Sequence, residues 1–127
     1  MEIKRDLYLS KLIQSRDNGL VKVVTGLRRS GKSYLLKTLF KNYLLSEGVS
    51  TDHILIVDLE NIRNKKFLNV DYFIEWLDDH ITDDKTHYLI VDEIQTIPNF
   101  TELLSGLVTT EHLDVYVTGS NSHLLSS

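Results

Sequence analysis

Cysteine is missing altogether from this 127-residue chain, which removes disulfides and thiolate metal sites from consideration. Proline occurs once, and neither a repeat nor a low-complexity linker interrupts the sequence, so one domain is the expectation for this length. No apolar run approaches the roughly 18 residues of a membrane span, and the opening MEIKRDLYLS lacks the apolar centre of a signal peptide. A cytoplasmic protein without a membrane partner is therefore expected. The net charge is −4 and there is no long basic stretch; Lys65-Lys66 reads as a solvated turn. Composition thus gives no support for a nucleic-acid surface. The five histidines, His53, His80, His87, His112 and His123, show no paired metal-ligand spacing, and no histidine metal site is expected from them.

What is present is an alternation of helical and strand-like segments. Asp6 to Gln14 reads as a short amphipathic helix, and Asn18-Gly19 as a turn. Leu20 to Thr25 is a β-branched strand pattern. From Lys32 the apolar residues Leu35, Leu36, Leu39, Phe40, Tyr43 and Leu44 repeat at helical spacing, with Gly48 placed to end the helix. His53–Leu59 and Tyr88–Glu93 are near-continuous apolar runs, the mark of strands buried on both faces. Asp71 to Ile81 reads as a helix with Asp71 as N-cap. Asn99-Phe100-Thr101-Glu102 resembles a capping box opening a further helix. Leu113 to Ser120 is a last strand. This β-α-β-α-β-α-β order predicts an α/β fold with a largely parallel sheet and right-handed crossovers. The stop at SNSHLLSS, where another helix starts, reads as the end of a truncated domain.

One stretch departs from ordinary connector chemistry. Gly26-Leu27-Arg28-Arg29-Ser30-Gly31-Lys32-Ser33 matches G-x-x-x-x-G-K-[ST] at every fixed position. The glycines let successive N–H groups turn inward around phosphate oxygens. The helix that follows, through Tyr34 and beyond, adds its unpaired N-terminal amides and positive dipole end. Lys32 is assigned to the β- and γ-phosphates of ATP and the Ser33 hydroxyl to Mg²⁺. Arg28 and Arg29 are read as a basic rim, with a γ-phosphate, subunit or substrate contact as the alternative.

The run YLIVDE delivers Asp92 at a strand end, where a carboxylate can face the Mg²⁺ shell. Glu93 beside it is suited to hold and polarise an attacking water, which favours hydrolysis over transfer to a small acceptor. The run VYVTGSNS ends in Thr118, Ser120 and Asn121, with Ser120 or Asn121 as the group that senses water and phosphate. Glu60 or Asn61 is a candidate for contacting and gating Glu93.

Together, TGLRRSGKS, LIVDEIQ and VTGSNSHLL resemble the AAA+ superfamily of P-loop ATPases. More narrowly they resemble bacterial and archaeal ATPases with a G-x-R-R-x-G-K-[ST] loop and a C-terminal domain of unknown function. The resemblance implies a three-layer α/β/α domain with a five-stranded sheet in the order 5-1-4-3-2. It also implies self-association or a partner subunit supplying an arginine finger, and a helical lid over the nucleotide. On that pattern residues 1–127 are the N-terminal part of the domain, without the last strand and the lid. The expected activity is Mg²⁺-dependent ATP hydrolysis coupled to an unidentified partner. The alternatives are a nucleotide-dependent binding switch without appreciable turnover and a small-molecule kinase.

Overall fold

The computed structural model describes residues 2–25 and 29–119, with residues 2–6, 29 and 30 described by backbone only. Four strands, β1 (Lys22–Val24), β2 (Ile54–Asp58), β3 (His87–Asp92) and β4 (Leu113–Thr118), form one sheet in the order β1-β4-β3-β2. Every pairing is parallel. The order is the 1-4-3-2 portion of the arrangement implied by the family resemblance.

Residue parity explains how the sheet is buried. Side chains alternate faces along a strand, and here odd-numbered Leu55, Val57, Leu89, Val91, Val115 and Val117 all enter one core. They meet Phe73 and Leu77 of α4 (Val70–His80) and Leu103 and Leu107 of α5 (Phe100–Val108). Even-numbered Val24, Ile54, Tyr88, Ile90 and Tyr116 enter the other core. Their partners are Leu12 of α1 (Glu2–Gln14) and Leu35, Leu36, Phe40 and Leu44. Those four belong to the helical run made of α2 (Arg29–Tyr34), a π-helical stretch (Leu35–Phe40) and α3 (Lys41–Ser46). The sheet is thus sandwiched between helical layers, an α/β/α arrangement.

The ends of the elements follow local chemistry. Gly48, at φ +90°, closes α3 with Gly48 N–H donating to Leu45 O and Val49 N–H to Leu44 O, the paired bonds of a glycine-terminated helix. Two predicted caps are corrected. The N-cap of α4 is Asn69, whose side-chain oxygen accepts from Tyr72 N–H at 2.9 Å, and Asp71 lies inside the first turn. The capping box at Asn99 does not form. Asn99 takes a left-handed backbone (φ +63°) with no side-chain cap bond, whereas side-chain capping needs an extended residue at that position. The predicted strands are also trimmed: β1 keeps three residues, and β3 ends at Asp92, one residue before Glu93.

Candidate functional site

The carboxyl ends of β2, β3 and β4 face the helical run α2–α3. Asp58, Asp92 and Thr118 have even numbers and so project to the face that carries this run. Ser33 Oγ donates to Asp92 Oδ2 at 3.2 Å. The Thr118 hydroxyl donates to Asp92 Oδ1 at 2.6 Å and accepts from Glu93 N–H at 2.8 Å. Asp92 is 1% exposed, so its orientation is set from both sides.

Glu93 has an odd number and, on an extended strand, would point toward α4 and α5. Its backbone is instead left-handed, φ +61° and ψ +56°, which breaks the alternation. The carboxylate lies against the opposite partners: Oε2 is 3.6 Å from Lys32 Nζ, and Oε1 accepts from Gln95 Nε2 at 2.8 Å. Such a conformation in a non-glycine residue carries on the order of 1–3 kcal/mol of strain, and the buried contacts hold it in place. Lys32 is equally buried, and its ammonium donates to Gly119 O at 2.7 Å.

Lys37, one helical turn beyond Ser33, was not singled out by any motif. Its ammonium lies 3.0 Å from Asp58 Oδ2 and 3.5 Å from Asp92 Oδ2. Asp58 and Asp92 are register partners on adjacent strands, so the lysine offsets two facing like charges. Burial works against the Lys37 charge, but the Asp58 hydrogen bond and the charges of Asp92 and Asp58 outweigh it and raise its pKa above the ordinary lysine value.

The sequence-predicted residues divide clearly. Lys32, Ser33, Asp92 and Glu93 converge, although they come from two segments about 60 residues apart. Tyr34, in the same loop-to-helix stretch, is exposed. Gly26, Leu27 and Arg28, the side chains of Arg29 and Ser30, and the residues Ser120 and Asn121 lie outside the described residues. Thr118, earlier in the same run, commits its hydroxyl to Asp92 and to the Glu93 amide. Of the gating candidates Glu60 and Asn61, Asn61 uses its side-chain oxygen to accept from Arg63 N–H; the neutral side chain that is set against Glu93 is Gln95, which was not among them. Lys37 and Gln95 were missed. The i+4 offset of Lys37 from Ser33 was the available signal, while Gln95 depends on the backbone turn at Glu93.

The donor set fits a hard divalent cation. Neighbouring oxygens on an octahedral Mg²⁺ lie about 2.9 Å apart, close to the Ser33–Asp92 separation. Asp58, Glu60 and Asp92 also place carboxylate oxygens within 4.8 Å of one another. Among the described residues no helix is long and apolar enough to cross a membrane.

Comparison with known proteins agrees with this geometry. An uncharacterised protein of Haemophilus influenzae is 32% identical over 125 residues, covering 98% of this chain and 31% of that protein. An uncharacterised protein of Methanocaldococcus jannaschii is 31% identical over 126 residues, covering 98% of this chain and 25% of its own length. The chain therefore spans about a third or less of these relatives. The family model described as AAA domain matches residues 18–127. With its parallel sheet, a lysine and serine opening the helix after β1, and acidic residues at the end of β3, the chain belongs to the AAA domain family of P-loop proteins.

Proposed function

We propose that the chain is the nucleotide-binding core of an ATPase, with hydrolysis of the ATP γ-phosphate as its reaction. The observation that carries this reading is the convergence of Lys32, Ser33, Asp92 and Glu93 at the carboxyl end of the sheet. In this reading the backbone amides of residues 26–33 and the Lys32 ammonium hold the β- and γ-phosphates. Ser33 Oγ and Asp92 hold Mg²⁺, which when bound neutralises charge on the phosphate oxygens. Glu93 orients the attacking water and takes up its proton at a carboxylate oxygen. Gln95 fixes the other carboxylate oxygen, and its own Oε1, buried without a donor among the described residues, is a second acceptor for a water. Ser120 or Asn121 contacts the terminal phosphate. Gly26, Leu27, Arg28, Arg29, Ser30, Gly31 and Tyr34 complete the nucleotide-contacting stretch. Self-association or a partner subunit supplies an arginine, and the work driven by hydrolysis belongs to the longer protein.

A second reading is a nucleotide-dependent switch with little turnover. It is favoured by the Glu93 carboxylate being held between Lys32 and Gln95, contacts that a water-orienting role has to share. Glu93→Gln separates the two. In the hydrolysis reading the variant binds ATP with parent affinity while phosphate release falls about 100-fold or more. Equal, slow phosphate release from parent and variant supports the switch. Loss of ATP binding in Lys32→Ala tests the cradle itself, and retained binding there overturns both readings.

A further inference from the structure

At the opposite end of the sheet, the histidines that sequence spacing left scattered come together. His53 and His87 immediately precede the first register pair of β2 and β3, Ile54 and Tyr88, and their ring centroids are 4.4 Å apart. Asp83, from the connection between α4 and β3, lies against both. Its carboxylate oxygens are 2.8 and 3.0 Å from His53 Nε2 and one is 3.9 Å from His87 Nε2. We propose that His53 Nε2, His87 Nε2 and an Asp83 carboxylate oxygen form a binding site for one divalent transition-metal ion of the zinc class.

Three features support this. The first is spacing. Zinc bound to nitrogen and oxygen at about 2.0–2.2 Å in tetrahedral geometry sets its ligands roughly 3.3 Å apart. Asp83 Oδ1 lies 3.0 Å from His53 Nε2 and 3.9 Å from His87 Nε2, values either side of that figure, and one donor atom from each of the three residues falls within 4.8 Å of the others. Asp83 sits on an exposed connection and can close the difference.

The second feature is the support behind each ring. A metal-bound imidazole presents one nitrogen to the ion and donates the other N–H to a carboxylate or carbonyl. His87 Nδ1 lies 2.8 Å from Lys85 O, an acceptor only, so Nδ1 carries the proton and Nε2 carries the lone pair. His53 Nδ1 lies 2.9 Å from an Asp52 carboxylate oxygen. Both rings are therefore held with Nε2 toward the same place. Coordination displaces the Nε2 proton of His53 to solvent. It also displaces the Thr82 N–H that approaches His87 Nε2 at 3.2 Å, and Thr82 is exposed enough for its amide to turn to water.

The third feature is ligand chemistry and access. Two imidazoles and one carboxylate suit zinc and its neighbours in the first transition row, whereas the all-oxygen cluster at Asp92 suits magnesium. His87 is fully buried and His53 nearly so, while Asp83 is 41% exposed, leaving the fourth position to water. The site would tie the start of β2, the start of β3 and the α4–β3 connection together.

The test is a Zn²⁺ titration of the protein against a chromophoric chelator, paired with Co²⁺ titration read by visible absorption. The parent is expected to bind one Zn²⁺ at this site and to give the intense d–d bands of tetrahedral cobalt. Asp83→Asn, on the surface, weakens Zn²⁺ binding at least tenfold. Asp52→Ala, which removes the acceptor behind His53 together with that of the Ser50 hydroxyl, weakens it about tenfold. His53→Ala and His87→Ala abolish the cobalt bands, and Asp92→Asn leaves Zn²⁺ affinity at the parent value. The assignment is overturned if the parent binds no Zn²⁺, if Asp83→Asn and His53→Ala bind as tightly as the parent, or if Asp92→Asn alone removes the binding.

Discussion

Thr118 and Asp92 share a hydrogen bond at 2.6 Å between neighbouring strands, and the same hydroxyl accepts the Glu93 amide at 2.8 Å. One small side chain thus sets the acidic pair, holding the first carboxylate and the strained backbone of the second residue. Thr118→Val keeps the shape, removes the donor to Asp92 and leaves a buried N–H without its acceptor. The variant is expected to lose about 1–3 kcal/mol in urea unfolding, whereas Thr118→Ser stays near the parent. Equal stability of the valine and serine variants would show that the hydroxyl does not hold Glu93.

Lys37 stands between Asp58 and Asp92. Its side chain is about a quarter exposed, so the stabilisation it contributes is modest, on the order of 1 kcal/mol. Lys37→Met leaves two facing carboxylates, which then attract a cation more strongly. The expected result is a lower melting temperature without Mg²⁺ and a larger upward shift on adding Mg²⁺ than the parent shows. Identical Mg²⁺ shifts in the two proteins would argue against competition between Lys37 and the metal.

Asp114 is the hub of a buried network at the other end of β4. It accepts from Lys22 Nζ, from Asp17 N–H at 2.7 Å and from the Tyr116 hydroxyl at 2.6 Å. Asp114→Ala strands a buried lysine, a loss of roughly 3–5 kcal/mol. In a Lys22→Met background the same change is expected to be milder by at least about 1 kcal/mol, because no charge is left behind. Strict additivity in the double-mutant cycle would mean that the pair does not interact.

Tyr116 is fully buried. Burial first, then the hydrogen bond and charge of Asp114, push its phenol far above the ordinary tyrosine range. A group whose folded pKa is raised lends stability in full below its unfolded pKa near 10, and that stability drains away as pH climbs above it. Absorbance titration in the near ultraviolet is expected to show at least one of the six tyrosines resisting ionisation until the protein unfolds. Full tyrosine ionisation near pH 10 with the fold intact would contradict this.

Much of the fold could be read from the chain because the strands are buried on both faces, which turns HILIVDL and YLIVDE into apolar runs that few other structures produce. The loop and the Asp92-Glu93 pair were legible because phosphate chemistry demands fixed residue types at fixed offsets. The rest depends on relations that a linear pattern does not carry. Nothing local to residue 93 announces a left-handed backbone, yet that turn aims its carboxylate at Lys32. Asn99 shows the converse, since a good capping signature was overridden by a conformation asparagine tolerates better than most residues. His53 and His87 are 34 positions apart, and only the strand register makes them neighbours.

The ladder from Ile54 to Val57 has a geometric consequence. A parallel strand advances about 3.3 Å per residue, so His53 at its start and Asp58 at its finish stand roughly 17 Å apart. The Debye length at physiological salt is only about 8 Å. That screening acts on exposed charges, whereas His53, His87 and Asp92 are buried, so a change of charge among the histidines still reaches the carboxylates, attenuated to about 1 kcal/mol at this distance. The two poles of the sheet are thus joined twice over, by this weak field and by the strands themselves, so a cation gained or lost at one pole is felt faintly at the other.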